Sequence, residues 1–205
     1  MGPANTTARR MAAPSHPSPD AAHASSAPLT LGLDEPGPEA TSGPSKEGRP
    51  AAGFLIRTDG AARGNPGPAS AGAVLLRLDR PDARDPSARP DASISEYLGI
   101  RTNNVAEYIG VVRALALARE LDAERVEMLL DSNLIVEQLH GRWRVKDIKL
   151  KPLWAEALRE LRELPGGWTA AHVPRAQNKL ADALANAAID RFAAGGPAVV
   201  VVRPA

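Results

Sequence analysis

Four carboxylates stand where a folded chain could gather them. Asp59 closes the apolar run Phe54-Leu-Ile-Arg-Thr just before a glycine. Glu107 opens a helical pattern, Asp131 closes Met128-Leu-Leu, and Asp182 lies at the start of the last helical pattern. An acid at the end of a central strand, a second on a helix turn and two more at strand–helix junctions can converge on one point. Four carboxylates converging in an apolar fold repel one another unless cations hold them. Oxygen ligands without His or Cys select magnesium or manganese over zinc. Two such ions roughly 4 Å apart activate a water and stabilise the leaving oxygen in phosphodiester hydrolysis. Each acid also has a plain structural reading. Asn104-Val-Ala-Glu107 fits a capping box with Asn104 as N-cap, and Asp131 fits the N-cap of the helix that follows it. Asp182 fits the positive end of a helix dipole, and Asp59 a turn.

The stretch His140-Gly-Arg-Trp-Arg-Val-Lys-Asp-Ile-Lys-Leu-Lys151 is the one dense basic run. Arg142, Arg144 and Lys146 bracket Trp143, a mixture suited to phosphates plus a sugar or base face. If the stretch is extended, their alternation puts three cations on one side. The competing reading is a solvated loop with Trp143 tucked into the core.

The elements that must position these groups read from periodicity and breakers. Phe54 to Asp59 is a strand ending in a Gly-rich turn, Gly60 to Gly67. Ala71 to Leu78 and Ser93 to Ile100 are two further strands, joined by a solvated Arg/Asp/Pro loop, so the opening is antiparallel. Val105, Ile109, Val112 and Ala116 recur at helical spacing to about Leu121. Arg125 to Leu130 is a strand, Ser132 to His140 a short helix, and Pro152 to Leu164 a helix with proline as its first residue. Trp168 to Val173 is the last strand of the core, and Gln177 to Ala194 the last helix. The order β-β-β-α-β-α-α-β-α implies an α/β fold, a mixed sheet with helices on its faces. Ala198 to Val202 either adds an edge strand or trails as a tail.

Composition bounds the rest. The chain has 205 residues and no cysteine, which excludes a disulfide scaffold, a thiol nucleophile and Cys-ligated metal. No apolar stretch approaches the roughly 18 residues of a membrane span, and no apolar core of a secretory signal is present, so a cytoplasmic protein is expected. Net charge is +1, so nucleic-acid binding must rest on local patches. Residues 1–50 hold 9 of the 19 prolines and no aromatic residue, which marks a disordered Pro/Ala/Ser-rich arm. A globular domain over 51–195 and a tail over 196–205 complete the expected organisation.

Four blocks occur in order: Thr58-Asp-Gly-Ala-Ala-Arg-Gly-Asn-Pro-Gly67, Thr102-Asn-Asn-Val-Ala-Glu107, Asp131-Ser-Asn-Leu and Asn178-Lys-Leu-Ala-Asp182. Together they resemble the signature blocks of type 1 ribonuclease H, which cuts the RNA strand of RNA–DNA hybrids. The resemblance covers about Phe54 to Asp190 and implies the five-stranded mixed sheet of that group. It further implies that Asp59, Glu107, Asp131 and Asp182 bind two magnesium ions, with manganese as a substitute. Gly64, Asn65, Asn103 and Asn104 would touch the hybrid, and cleavage by a monomer would leave 5′-phosphate and 3′-hydroxyl ends. Many members have Gly before the third acid and Gln two residues after it; here Leu130 and Asn133 stand there. His172 has the spacing of the family's mobile histidine. His172-Val-Pro-Arg175 looks more like the archaeal and actinobacterial branch, in which an arginine serves near the metals, and this favours Arg175 as the auxiliary group. The alternative is a non-catalytic binding module that kept the fold, against which stands the presence of all four acids.

Overall fold

The computed structural model describes residues 52–204, so the arm expected over residues 1–50 lies outside the described residues. Strands β1 (Gly53–Ala62), β2 (Gly67–Arg77) and β3 (Ala92–Arg101) form an antiparallel meander. Helix α1 (Asn103–Glu120) then crosses back to β4 (Arg125–Leu130), which lies parallel to β1 on its other side. Helices α2 (Asn133–Leu139) and α3 (Leu150–Arg162) lead to β5 (Trp168–His172), parallel to β4. A 3-10 turn (Arg175–Gln177), helix α4 (Lys179–Ala193) and β6 (Val199–Val202) complete the described chain. The sheet order is β5-β4-β1-β2-β3-β6. Five strands form the expected mixed sheet, and the Ala198 to Val202 segment resolves as a sixth, antiparallel to β3. Arg191 holds it there by donating to the Pro197 carbonyl and to Ser95 on β3.

Each face of the sheet has its own cover. On one side Phe54, Ile56, Met128 and Leu130 pack under α1 and α3. Helix α1 is buried almost all round because it lies between the sheet and α3, so its sequence is apolar rather than two-faced. On the other side Leu55, Val74 and Leu76 meet α4 and, from the β2–β3 loop, the buried Ala83 and Ala88. That loop is solvated along its charged edge, as expected, but its two alanines are core.

Local differences from the expected elements have local causes. The N-cap of α1 is Thr102, whose hydroxyl accepts from the Val105 amide at 3.4 Å, so Asn104 is not the cap. Ser132, not Asp131, holds the N-cap position of α2. Helix α3 begins at Leu150, which makes Pro152 its third residue; the first-turn amides have no partner inside a helix, so proline fits there too.

Two glycines allow the helices to reach the sheet. A Cβ on Gly60 would lie 2.2 Å from the Glu107 amide nitrogen, and one on Gly72 would lie 2.1 Å from the Ala181 carbonyl oxygen. Both would strike backbone, so the helices would have to back away. Gly72→Ala is expected to destabilise the domain by about 3 kcal/mol, read from urea unfolding; an unchanged midpoint would mean that α4 does not sit this close.

Candidate active site

Strands β1 and β4 pair in parallel from Gly53–Arg125 to Ile56–Met128, and Asp59 and Asp131 lie beyond the last paired residues. Asn178, fully buried between the 3-10 turn and α4, bridges the fork. Its Nδ2 donates to the Thr58 carbonyl at 2.8 Å and to Asp131 Oδ1 at 2.7 Å. Asp59 is 5% exposed. Its Oδ1 accepts from the Gly60 amide at 2.9 Å, while Oδ2 is buried and has no hydrogen-bond partner.

The other two acids come from the two helix starts. Glu107, the fifth residue of α1, accepts from Asn103 Nδ2 at 2.7 Å and from the Ser132 hydroxyl at 2.6 Å. Asp182, on the first turn of α4, accepts from Arg175 Nη2 at 2.8 Å. As the side chains stand, no three acids or histidines of the described residues form a set that could hold a metal ion. The fit to a cation rests instead on the chemistry of the donors: hard carboxylate oxygens, one of them buried and unpartnered.

The electrostatics follow that placement. Burial, then the Asp131 charge, then a shared proton and charge repulsion with the Asp182 carboxyl, push the Asp59 carboxyl up to about 8. Burial also raises Glu107, against the pull of its Ser132 and Asn103 bonds. Asp182 is lowered, chiefly by its bond from Arg175. Asp59 therefore senses two of the other acids and Glu107 senses Asp131, so the four form one electrostatic group.

The flanking turns are tied to this centre. Gly64 and Asn65 lie in the exposed β1–β2 turn, and Asn65 Oδ1 accepts from the Asn103 amide at 3.1 Å. A groove of about 500 Å³ runs past Asn104, Leu134, Trp143, Arg144 and Lys146.

The family model described as reverse transcriptase-like matches residues 57–188. The bifunctional protein Rv2228c of Mycobacterium tuberculosis is 41% identical over 142 residues, 68% of this chain and 36% of its own length. The chain thus spans about a third of that relative. Ribonuclease HI of Halobacterium salinarum is 40% identical over 147 residues, 72% of this chain and 67% of the relative. The structure of LC11-RNase H1 in complex with an RNA/DNA hybrid superposes with a TM-score of 0.60 at 37% identity, covering 68% of this chain and 99% of that one. The chain belongs to the type 1 ribonuclease H family.

Within that ribonuclease H frame, the structure gathers the expected residues unevenly. Arg175 lies within electrostatic reach of all four acids, and the acids as their side chains stand do not close into a metal-holding set. His172 stands exposed at the end of β5, opposite Leu130 in register, and Arg175 is the auxiliary candidate bonded to an acid. Asn103 turns its amide inward to Glu107, while Asn104 and Asn133 are exposed. Arg142 lines the same groove as Arg144 and Lys146, and its guanidinium is engaged by Glu137 through two bonds of 2.6 and 2.7 Å. Arg144 and Lys146 project outward on either side of the buried Val145. Trp143 is 49% exposed, which excludes its placement in the core. Sequence reasoning missed Ser132 and Asn178 as ligands of acids. Both lie inside the quoted blocks, but a small polar residue beside an acid carries no signal of which acid it serves.

Asp59 supplies a pH-dependent test. Its folded-state value is raised above the usual 3.8, so its contribution is fully present below about pH 4 and is lost as pH rises toward 8. Without divalent ions, Asp59→Asn should be more stable than the wild type at pH 8 by more than about 1 kcal/mol, seen as a higher melting temperature. The gap should close as pH falls to 4. Equal melting temperatures at pH 8 would show that Asp59 is not strained by its neighbours.

Proposed function

We propose that this chain is an endoribonuclease that hydrolyses the RNA strand of RNA–DNA hybrids, with Asp59, Glu107, Asp131 and Asp182 holding two divalent ions, magnesium or manganese. The observation that carries the reading is the buried Asp59 at the β1–β4 fork, on which the charges of Asp131 and Asp182 act, with Glu107 in the field of Asp131. A family relative solved with an RNA/DNA hybrid supports the substrate class. The ions, when bound, would supply Lewis-acid polarisation of the scissile phosphate and a water of lowered pKa.

The chain's own residues divide the remaining work. Asp59 and Asp131, fixed by Gly60 and by Asn178, give the site a rigid floor. Glu107 and Asp182 stand at helix starts, held by Ser132 and Arg175. Arg175 is 75% exposed along its side chain, so its guanidinium can meet a phosphate as well as Asp182. Asn65 and Asn104 offer amides to 2′-hydroxyls, the groups that distinguish RNA from DNA. Trp143, Arg144 and Lys146 line the groove that would hold the duplex backbone. The products would carry 5′-phosphate and 3′-hydroxyl ends, released by a monomer acting in the cytoplasm. No helix among the described residues is long and apolar enough to cross a membrane.

Matched RNA–DNA, RNA–RNA and DNA–DNA duplexes with magnesium test the activity. The hybrid alone should be cut, and Asp59→Asn should lower turnover by roughly a thousandfold with hybrid affinity kept. Magnesium should also raise the melting temperature of the wild type and not of the variant. Near-normal cleavage by Asp59→Asn would remove the four-acid assignment.

The groove has its own measurement. Changing Arg144 and Lys146 together to Gln should flatten the salt dependence of hybrid binding by up to about two units of log–log slope. Turnover at saturation should change little, since backbone contacts hold ground and transition states alike. An unchanged slope would return the run to a solvated loop.

A further inference from the structure

Arg57 is the largest side chain buried to below 2% or at that limit in the described chain, and it sits two residues before Asp59 on the same face of β1. A fully buried guanidinium in a strand otherwise made of Phe54, Leu55 and Ile56 calls for a reason, because taking that charge out of water is costly unless its donors are used. Two of its nitrogens are used on backbone rather than on a carboxylate. Nη1 donates to the Gln177 carbonyl at 3.0 Å, and Nη2 donates to the Arg84 carbonyl at 3.2 Å. Nε is buried without a partner.

The two carbonyls belong to segments with no strand of their own to hold them. Arg84 lies in the β2–β3 loop, between the buried Ala83 and Ala88, and its own guanidinium pairs with Glu127 on β4. Gln177 ends the 3-10 turn that begins with Arg175. Its carbonyl shares a peptide plane with the nitrogen of Asn178, the residue that grips Thr58 and Asp131. Strand β1 and the turn are therefore laced in both directions: the Arg57 side chain takes a carbonyl of the turn, and the Asn178 side chain takes the carbonyl next to Arg57. Such reciprocal bonds fix the plane and roll of the turn, and with it the direction in which Arg175 leaves toward Asp182.

We propose that Arg57 is a positioning residue: it orients the Arg175–Asn178 turn so that Arg175 stands over Asp182 and Asn178 over Asp131, and it makes the β2–β3 loop part of the same support. Arg57 bonds to none of the four acids, the charge near it being that of Asp85 in the β2–β3 loop; it acts through the turn. The assignment rests on the nuclease reading for its catalytic consequence, but not for the tie itself.

Both parts are measurable on the full chain. In Arg57→Met, hydrogen exchange at the Gln177 and Asn178 amides, which bond to Pro174 and Arg175 carbonyls, should speed up at least tenfold, while the amides of β1 and mid-α4 stay protected. Turnover on the hybrid should fall at least tenfold with KM within twofold. Arg57→Lys, which keeps the charge and a donor, should lie between. In an Arg175→Ala background, Arg57→Met should cost turnover at least threefold less than it does in the wild type, because one of the two groups it positions is gone.

Unchanged exchange at the turn, a loss seen in KM instead of turnover, or fully additive losses with Arg175→Ala would each overturn the assignment. If Arg57→Met does not fold, the same exchange and additivity criteria apply to Arg57→Lys. A wild type that leaves the hybrid intact with magnesium and manganese would end the nuclease reading, and the exchange result alone would then judge the tie.

Discussion

The Asn178 amide spends both of its hydrogens in the fork between β1 and β4, one on a backbone carbonyl and one on an acid. Parallel strands that diverge leave backbone groups without ladder partners, and buried ones must be satisfied by something else. Asn178 satisfies the Thr58 carbonyl and in the same act orients Asp131. Because it is buried and sits at the N-terminus of α4, the helix that carries Asp182 cannot shift without disturbing the strand ends that carry Asp59 and Asp131. One small side chain thus couples three of the four acids. A longer amide would overfill the fork, and an aspartate there would add a further negative charge to the group.

The helices reach this point because the sheet has no side chains in their way at Gly60 and Gly72. Close approach puts the start of α1 directly over the end of β1, which brings Glu107 to the same rim as Asp59. It also removes water from around Asp59, and that desolvation is the largest cause of its raised value. A site that gathers carboxylates in this way carries unrelieved repulsion among like charges. The divalent ions of the proposed function would relieve it, since the oxygens that resist one another are hard donors such ions take.

Around the rim, polar side chains of the family blocks do double service. Asn65 accepts from the start of α1, and Asn103 donates to Glu107, so the β1–β2 turn, the α1 N-terminus and one acid move together. Under the proposed function, groups that would meet a duplex are in this way connected to groups that would meet its scissile phosphate. The basic run is organised differently. Glu137 captures Arg142, and the buried Val145 makes its neighbours Arg144 and Lys146 point outward beside the exposed Trp143. The result is a groove lined by all three cations beside an aromatic face, with Arg142 already carrying an ion pair.

Much of this was legible without coordinates. Local order is written in nearest-neighbour terms: β-branched runs closed by Asp-Gly, helical spacing after Thr102, Pro-Gly-Gly after α3. The element order and a mixed sheet follow from them; the family resemblance implied its five strands, the four ordered blocks pointed to the acids, and the His172–Arg175 segment pointed to Arg175. The structure decided what depends on contacts between segments far apart in the chain. Whether Val199–Val202 joins the sheet depends on the open edge of β3 and on Arg191, which no local signal encodes. Nothing near Arg57 in sequence reveals that it is buried, because its carbonyl partners lie 27 and 120 residues away. The same holds for Asn178, which bonds to a carbonyl 120 residues distant and an acid 47 residues distant. Residue type and spacing determined which chemistry the chain could perform. The side-chain bonds that close long loops determined which groups meet, because a polar atom's partner is chosen by three-dimensional proximity after the sheet and helices have packed.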